Sequence, residues 1–268
     1  MTVAETDAPI TISGLEGSGE GWMQRYLSRH PRIHIHGKPP GIRWEALWGF
    51  CETLSSRGLW AANANQQLPL SVPFYSGSGP RRTREILKRM LREWLSGFAR
   101  ETPRWGVVRP GLCGDPEAVE QVDTLWPETR WIVCLAEPLF TITLAKATLR
   151  PNLDMASAAA EWVETCKFLH GHGRKRVAPF QSDKFDAAPY VARRTAIDRV
   201  MACIGEKPTN QTEESLRRWD GLKGVGLLRQ TLVLSDEEQE SLAAEVPELA
   251  RWMKRMGYPV PPRGGGAV

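Results

Sequence analysis

The sequence has few cysteines and no long hydrophobic run. Its five cysteines are odd in number, lie far apart among 268 residues and form no Cys-x-x-Cys pair. This spacing indicates neither a disulfide framework nor a zinc site, so we expect reduced, buried thiols. No run of roughly 18 apolar residues could span a bilayer, and the acidic amino terminus lacks the apolar core of a secretion signal. The sequence therefore predicts a cytoplasmic protein without a membrane partner.

A strong excess of charge is also missing. The formal net charge is +4, and no stripe of basic and aromatic residues runs along the chain. A mildly positive protein suits an anionic small molecule, but this charge is too small for a nucleic-acid surface. We therefore expect a small-molecule ligand and no nucleic acid, and the oligomeric state is left open.

The chain has enough apolar sequence for one core. With 268 residues and 41% hydrophobic content, it is long enough for one large α/β domain and short for two. We assign this domain to residues 10–260 and expect flexible tails at residues 1–9 and 261–268.

The most informative stretch runs from Ile10 to His36. Its β-branched start, Ile10–Ser13, leads through a glycine-rich loop into an amphipathic segment that begins near Trp22. The loop glycines are Gly14, Gly17, Gly19 and Gly21. This pattern predicts a strand, an anion-binding loop and a helix, because glycines let backbone N–H groups converge on an anion at a helix N-terminus. Tight packing of the helix on the strand is the alternative use of such glycines.

The loop differs from that of a kinase or NTPase. A Walker-type loop continues its glycine frame with Lys and Ser/Thr, whereas this chain has Glu20 and Gly21. An ordinary P-loop NTPase is therefore disfavoured.

The order of motifs around this loop resembles the opening of the bacterial sulfotransferase family, which uses 3′-phosphoadenosine 5′-phosphosulfate (PAPS). The shared pattern is Gly-x-x-x-Ser-Gly-x-x-Trp, followed by Leu-Ser-x-His-Pro-x-Ile. Its members here are Ser18, Gly19, Trp22, Leu27, Ser28, His30, Pro31 and Ile33. The resemblance implies that the 5′-phosphosulfate of the co-substrate PAPS is held by Gly17, Ser18, Gly19, Glu20, Gly21 and Trp22.

Three later segments resemble the family with substitutions. Where relatives have Trp-Gly-x-Lys-x-Pro, this chain has Val108 at the lysine position, and the adjacent Arg109 can replace the lysine only if the strand kinks. Where relatives have Arg-Asp-Pro and a serine for the 3′-phosphate, this chain has Ala136-Glu137-Pro138 and Leu144. The displaced candidates for these contacts are Thr143, Lys146, Arg150 and, in a later loop resembling Gly-Arg-Trp, Lys223 and Arg229.

Three residues are candidate bases for catalysis. His34 and His36 share one face of an extended segment, which suits proton transfer but is also common in structural or surface histidines. Relatives carry an acidic or histidine base near this point, so Glu45 is the third candidate.

Buried strands near residues 10, 105, 131 and 177, alternating with helices, predict an α/β fold. It is a parallel β-sheet flanked by helices, of the P-loop-type sulfotransferase fold. We further expect a polar linker at Glu206–Glu214 and one helix from Ser235 to Met256.

Two functions follow from these motifs. The first is transfer of a sulfuryl group from PAPS to a hydroxyl or amine of a small molecule or natural product. The alternative is a catalytically silent or repurposed member that binds a metabolite or partner.

Overall fold

The computed structural model describes residues 9–37, 85–86, 88–89, 102–149, 152, 154–172, 175–218 and 234–260. Three of the predicted site residues, Glu45, Lys223 and Arg229, lie outside the described residues, as does Arg150. Residues 85, 86, 88 and 89 are helical.

The described residues form one sheet of five parallel strands in the order β2-β3-β1-β4-β5. The strands are β1 (Ile10–Ser13), β2 (Ile33–His36), β3 (Arg104–Val108), β4 (Arg130–Leu135) and β5 (Val177–Gln181). Strands β1, β3 and β4 are almost wholly buried, as expected for short apolar runs covered on both faces.

Helices connect and cover these strands. They are α1 (Glu20–Leu27), α2 (Pro116–Leu125), α3 (Pro138–Leu144), α4 (Met155–Gly171), α5 (Ser182–Ala187), α6 (Tyr190–Ile204), α7 (Asn210–Arg217), α8 (Asp236–Glu245) and α9 (Glu248–Met256). A 3-10 turn at Leu112–Gly114 precedes α2, and α3 continues as a π-helical turn at Ala145–Leu149. Among the helices that the structure describes, none combines the length and the apolar character needed to cross a membrane.

The strand register brings the loops after β1 and β4 to the same edge. Ser13 pairs with Val133, and the chain leaves β1 and β4 in the same direction. Gly17 and Pro138 therefore follow neighbouring parallel strands at one edge of the sheet. Ligands of such sheets bind beyond the carboxyl ends of the strands.

The sheet separates two apolar layers. Alternate residues of β4 enter opposite layers: Ile132 and Cys134 face one side, and Trp131, Val133 and Leu135 the other. The first layer includes Met23 and Leu27 of α1, Ile197 and Met201 of α6 and Leu216 of α7. The second includes Val122 of α2, Trp162 and Cys166 of α4, and Trp252 and Met253 of α9. The predicted α/β fold, a parallel sheet flanked by helices, is confirmed.

The histidine of the His30-Pro31 pair has a structural place in this fold. Its buried ring accepts a hydrogen bond at Nδ1 from the Arg32 backbone N–H (3.2 Å), and its Nε2 lies 3.0 Å from the Lys207 carbonyl oxygen. His30 thereby ties the turn before β2 to the segment after α6.

Two predictions about the carboxyl-terminal third are wrong. The expected linker at Glu206–Glu214 contains most of α7, which begins after a capping box formed by Thr209 and Thr212. The expected single helix from Ser235 to Met256 is two helices, α8 and α9, because the chain leaves helical geometry at Val246 before Pro247. Helix α8 begins with a capping box formed by Ser235 and Glu238.

Candidate functional site

The loop between β1 and α1 lies at the carboxyl end of the central strand. Gly17 and Gly19 have φ angles of 94° and 104°, in the left-handed region that favours glycine. Gly19 is the N-cap of α1, and no side chain of the described residues makes a capping hydrogen bond there. The first N–H groups of α1 are therefore directed out of the helix end, where an anion is stabilised.

Two neighbouring segments hold this loop in place. The backbone N–H of Gly111 donates to the Gly14 carbonyl oxygen (2.8 Å), and the N–H of Cys113 donates to the Ser13 hydroxyl (3.0 Å). On the other side, a Cβ added to Gly19 would lie 2.6 Å from the Ser182 Cβ, so α5 packs directly against the loop. The loop is thus contacted on both sides by segments at the carboxyl edge of the sheet.

Glu20, the first residue of α1, is buried at this point. Its side chain is only 4% exposed, and it forms no ion pair within the described part of the chain. Burial raises the pKa of this carboxyl group to about 7, although the backbone N–H groups of Glu20, Gly17 and Gly19 act in the opposite direction. The nearby Glu161 of α4 raises the pKa further. A carboxyl group that titrates near neutrality therefore lies against the N–H groups of the loop.

Ser18 adds a second buried polar group. Its side chain is fully buried, and its hydroxyl has no hydrogen-bond partner among the described residues. Buried hydroxyls are normally hydrogen-bonded, so this one is available to a bound group. In the first turn of α1, the half-buried Trp22 stacks on Phe180 with ring centroids 5.3 Å apart.

A second helix terminus at the same edge carries its own carboxylate. Glu137 is the N-cap of α3 and accepts hydrogen bonds from the N–H groups of Leu139 (3.2 Å) and Phe140 (2.7 Å). The N–H of Glu137 in turn donates to Asp183 (3.1 Å), which also accepts from the Tyr258 hydroxyl (3.1 Å). This terminus is satisfied by protein groups.

The two predicted histidines lie together on the edge strand. His34 and His36 point to one face of β2, with ring centroids 4.6 Å apart. Partial burial, and then the proximity of His34, lower the pKa of His36. Strand β3 lies between β2 and β1. The lateral distance from His36 to β1, the strand that precedes the loop, is therefore two strand spacings, or about 10 Å.

Comparison with solved structures shows which proteins share this architecture. The sulfotransferase domain of an olefin synthase from Synechococcus matches with a TM-score of 0.52 and 11% identity, over 96% of this chain and 97% of that domain. A sulfotransferase from Alicyclobacillus acidocaldarius matches with a TM-score of 0.51 and 15% identity, over 93% and 95% of the two chains. One from Mycobacterium avium has the same TM-score and 15% identity, over 94% of this chain and 77% of that one.

The fold is that of the sulfotransferases. At these identities the likeness concerns the fold alone. No protein-family model matches the chain, and no curated protein matches it.

Two positions at which the sequence resemblance predicts a cation, 108 and 136, hold apolar residues. Val108, at the lysine position, is 3% exposed and packs in the layer beneath α1, while Ala136, at the arginine position, is also buried. Arg109 follows β3 at the carboxyl edge and is half-buried, so the structure brings it to the edge shared by the loop.

Thr143 and Lys146 are not brought to the loop. The Thr143 hydroxyl donates to the Leu139 carbonyl oxygen (2.7 Å) within α3. Lys146 is exposed and lines a cavity of about 160 Å³, together with Asp154, Glu238 and Glu245. No residue of the loop lines this cavity. Among the described candidates, the structure places Gly17–Trp22 and Arg109 at the carboxyl ends of β1 and β3, and His36 ends β2 at the same edge, two strands from the loop.

Two residues of the site were missed from the sequence. Asp183 could have been found, because it follows β5 at the same edge as the loops after β1 and β4. Glu161 gives no such signal: it lies within α4, and only the fold brings it near Glu20, Gly111 and Gly114.

Proposed function

We propose that this chain is a sulfotransferase that moves a sulfuryl group from PAPS to a hydroxyl or amine of a small molecule. The observation that carries the proposal is the glycine loop at the carboxyl end of β1, in a fold that matches sulfotransferases over more than nine-tenths of the chain. The buried Ser18 hydroxyl and the N–H groups of Gly17, Gly19 and Glu20 fit a phosphoryl oxygen. In this proposal, the loop is the site that binds the donor PAPS.

The reaction needs little covalent chemistry from the protein. The acceptor oxygen or nitrogen attacks the sulfur of the bound donor, the bond from sulfur to the bridging phosphate oxygen breaks, and the acceptor proton passes to a base. The loop N–H groups stabilise the negative charge that develops on the leaving phosphate. His34, His36 and Glu45 are the proposed bases, and the lowered pKa of His36 favours the neutral imidazole that a base requires.

A second candidate, binding without transfer, is favoured by the apolar cation positions. A charge-assisted hydrogen bond contributes about 1.5–3 kcal/mol. Replacing the basic groups at positions 108 and 136 by apolar side chains therefore removes roughly 3–6 kcal/mol, or about two to four powers of ten in donor affinity. A protein that kept the fold but lost these contacts would bind a different metabolite at the same edge.

Donor binding and transfer together distinguish the two candidates. We would titrate the full chain with PAP, the product nucleotide, by calorimetry at low salt and at about pH 6, where Glu20 is mostly protonated. A transfer assay with sulfur-labelled PAPS would use phenols, alcohols and amines as acceptors. Micromolar binding with labelled product supports sulfuryl transfer. No binding at millimolar PAP excludes it and leaves binding without transfer.

A further inference from the structure

We propose that the ionised Glu20 carboxylate occupies the anion site of the loop between β1 and α1. This loop therefore binds an external tetrahedral oxyanion, such as sulfate or a phosphoryl group, only when Glu20 is protonated. The inference deepens the proposed function, on which it rests for the class of ligand. It makes Glu20 a residue that sets both the specificity and the pH dependence of the loop.

The placement of Glu20 is the first support. No side chain of the described residues makes a capping hydrogen bond at this terminus, and the Glu20 carboxyl group lies against the N–H groups of Gly17, Gly19 and Glu20 itself. It is 4% exposed, and its Oε1 atom has no hydrogen-bond partner in the described part of the chain. This buried carboxyl group therefore lies beside the same N–H groups that an external oxyanion would use.

The surroundings of Glu20 are the second support. Glu161 of α4 and the Cys134 thiol of β4 both interact electrostatically with Glu20, while α5 contributes the uncharged Ser182 beside Gly19. Burial raises the pKa of Cys134 well above its ordinary value, so this thiol stays neutral. Ionised Glu20 thus adds negative charge beside another carboxylate and has no ion-pair partner in the described residues.

Like-charge repulsion then decides what the loop binds. Two negative charges about 4 Å apart at the edge of a protein weaken binding by roughly a thousandfold. Protonation removes this repulsion and turns the carboxyl group into a hydrogen-bond donor for the incoming oxyanion. Because the pKa of Glu20 is about 7, the protonated form is well populated near neutral pH.

Inorganic sulfate is the best probe, because it does not titrate between about pH 6 and 8.5 and needs no cation site for a nucleotide. We would measure sulfate binding to the full wild-type chain, Glu20→Gln and Glu120→Gln at constant ionic strength. Glu120 is an exposed acid of α2 and serves as the matched control. Far-UV circular dichroism would verify that each variant is folded.

For the wild type we expect affinity to fall roughly 30-fold from about pH 6 to about pH 8.5. Glu20→Gln should bind equally at both pH values, with an affinity close to that of the wild type at the lower pH, and Glu120→Gln should behave as the wild type. Calorimetry in two buffers of different ionisation enthalpy should show uptake of about one proton at the higher pH, absent in Glu20→Gln.

Ser18→Ala keeps the inference testable if Glu20→Gln does not fold. It should weaken sulfate binding at the lower pH while leaving the proton uptake in place. Identical pH profiles for the wild type and Glu20→Gln, or no sulfate binding by any folded variant, would overturn the inference. If Glu20→Gln gains sulfate affinity but neither PAP binding nor transfer is found, the inference stands and the proposed sulfotransferase activity fails.

Discussion

At the scale of single residues, Gly19 and Gly21 show that the loop glycines have different tasks. Gly19 combines a φ of 104° with a 2.6 Å approach of its virtual Cβ to Ser182. Gly21 lies in the first turn of α1, and an added Cβ there has no atom of the described residues within 4 Å. Only the first position requires glycine for the backbone and for packing.

Alanine substitutions should separate these two glycines. Gly19→Ala should lower the free energy of unfolding by about 2 kcal/mol or more, from left-handed backbone strain and overpacking. Gly21→Ala should leave it unchanged or raise it by up to about 1 kcal/mol, because alanine favours the helix. Urea denaturation of both variants measures the difference. Equal effects would mean that α5 does not pack on the loop.

The sequence alone could predict part of this site. It places Glu20 and Gly21 where a Walker-type loop has Lys and Ser/Thr, so the charge reversal is visible without a structure. The burial of Glu20 is not visible, because it depends on Ser182, Cys134 and Glu161, which are more than a hundred residues away in sequence.

At the scale of elements, the hydrophobic pattern predicted strands better than helix boundaries. Runs such as Trp131–Leu135 are short, β-branched and buried on both faces, and only a parallel strand suits them. The start of α7 was missed because its cap pairs Thr209 with Thr212, whereas the usual pattern has Glu or Gln at the second position. The break between α8 and α9 was missed although Pro247 marks it.

The end of α9 is fastened to the carboxyl edge through Tyr258. Its buried hydroxyl donates to Asp183 (3.1 Å), which also accepts the N–H groups of Glu137 and Lys184. Tyr190 offers a matched comparison, because its hydroxyl donates to Glu213 over the same distance on an exposed surface.

Tyr258→Phe should therefore destabilise the protein more than Tyr190→Phe. We expect a loss of about 1–3 kcal/mol for the buried hydroxyl, because its hydrogen bond to the buried Asp183 carboxylate is lost away from water. Tyr190→Phe should change stability by no more than about 0.5 kcal/mol. Thermal and chemical unfolding of the two variants give the comparison. A loss at Tyr190 that equals the loss at Tyr258 would contradict the buried link between α9 and α5.

At the scale of the whole molecule, Glu20 makes folding stability depend on pH. Its carboxyl group has a pKa of about 7 in the folded protein and 4.5 as the ordinary value. Because the folded state holds the proton more tightly, stability is greatest at low pH with respect to this group. It falls as pH rises from about 4.5 to about 7, and the loss approaches about 3 kcal/mol above that range.

Glu20→Gln should remove this dependence. The variant should be more stable than the wild type at about pH 8, by an amount on the order of 3 kcal/mol, and nearly equal to it at about pH 4.5. Glu120→Gln, at an exposed position of α2, should follow the wild-type profile. Denaturant unfolding at a series of pH values measures the three curves. Parallel curves for the wild type and Glu20→Gln would contradict the buried carboxyl group.

The titration of Glu20 itself tests the central claim most directly. We would label glutamate side chains with carbon-13 at the carboxyl position, assign the Glu20 resonance by its absence in Glu20→Gln, and follow it by NMR against pH with and without sulfate. The account predicts a midpoint near pH 7 that moves upward when sulfate is added, because sulfate binds the protonated form. A midpoint at or below the ordinary value of 4.5, unchanged by sulfate, would contradict it.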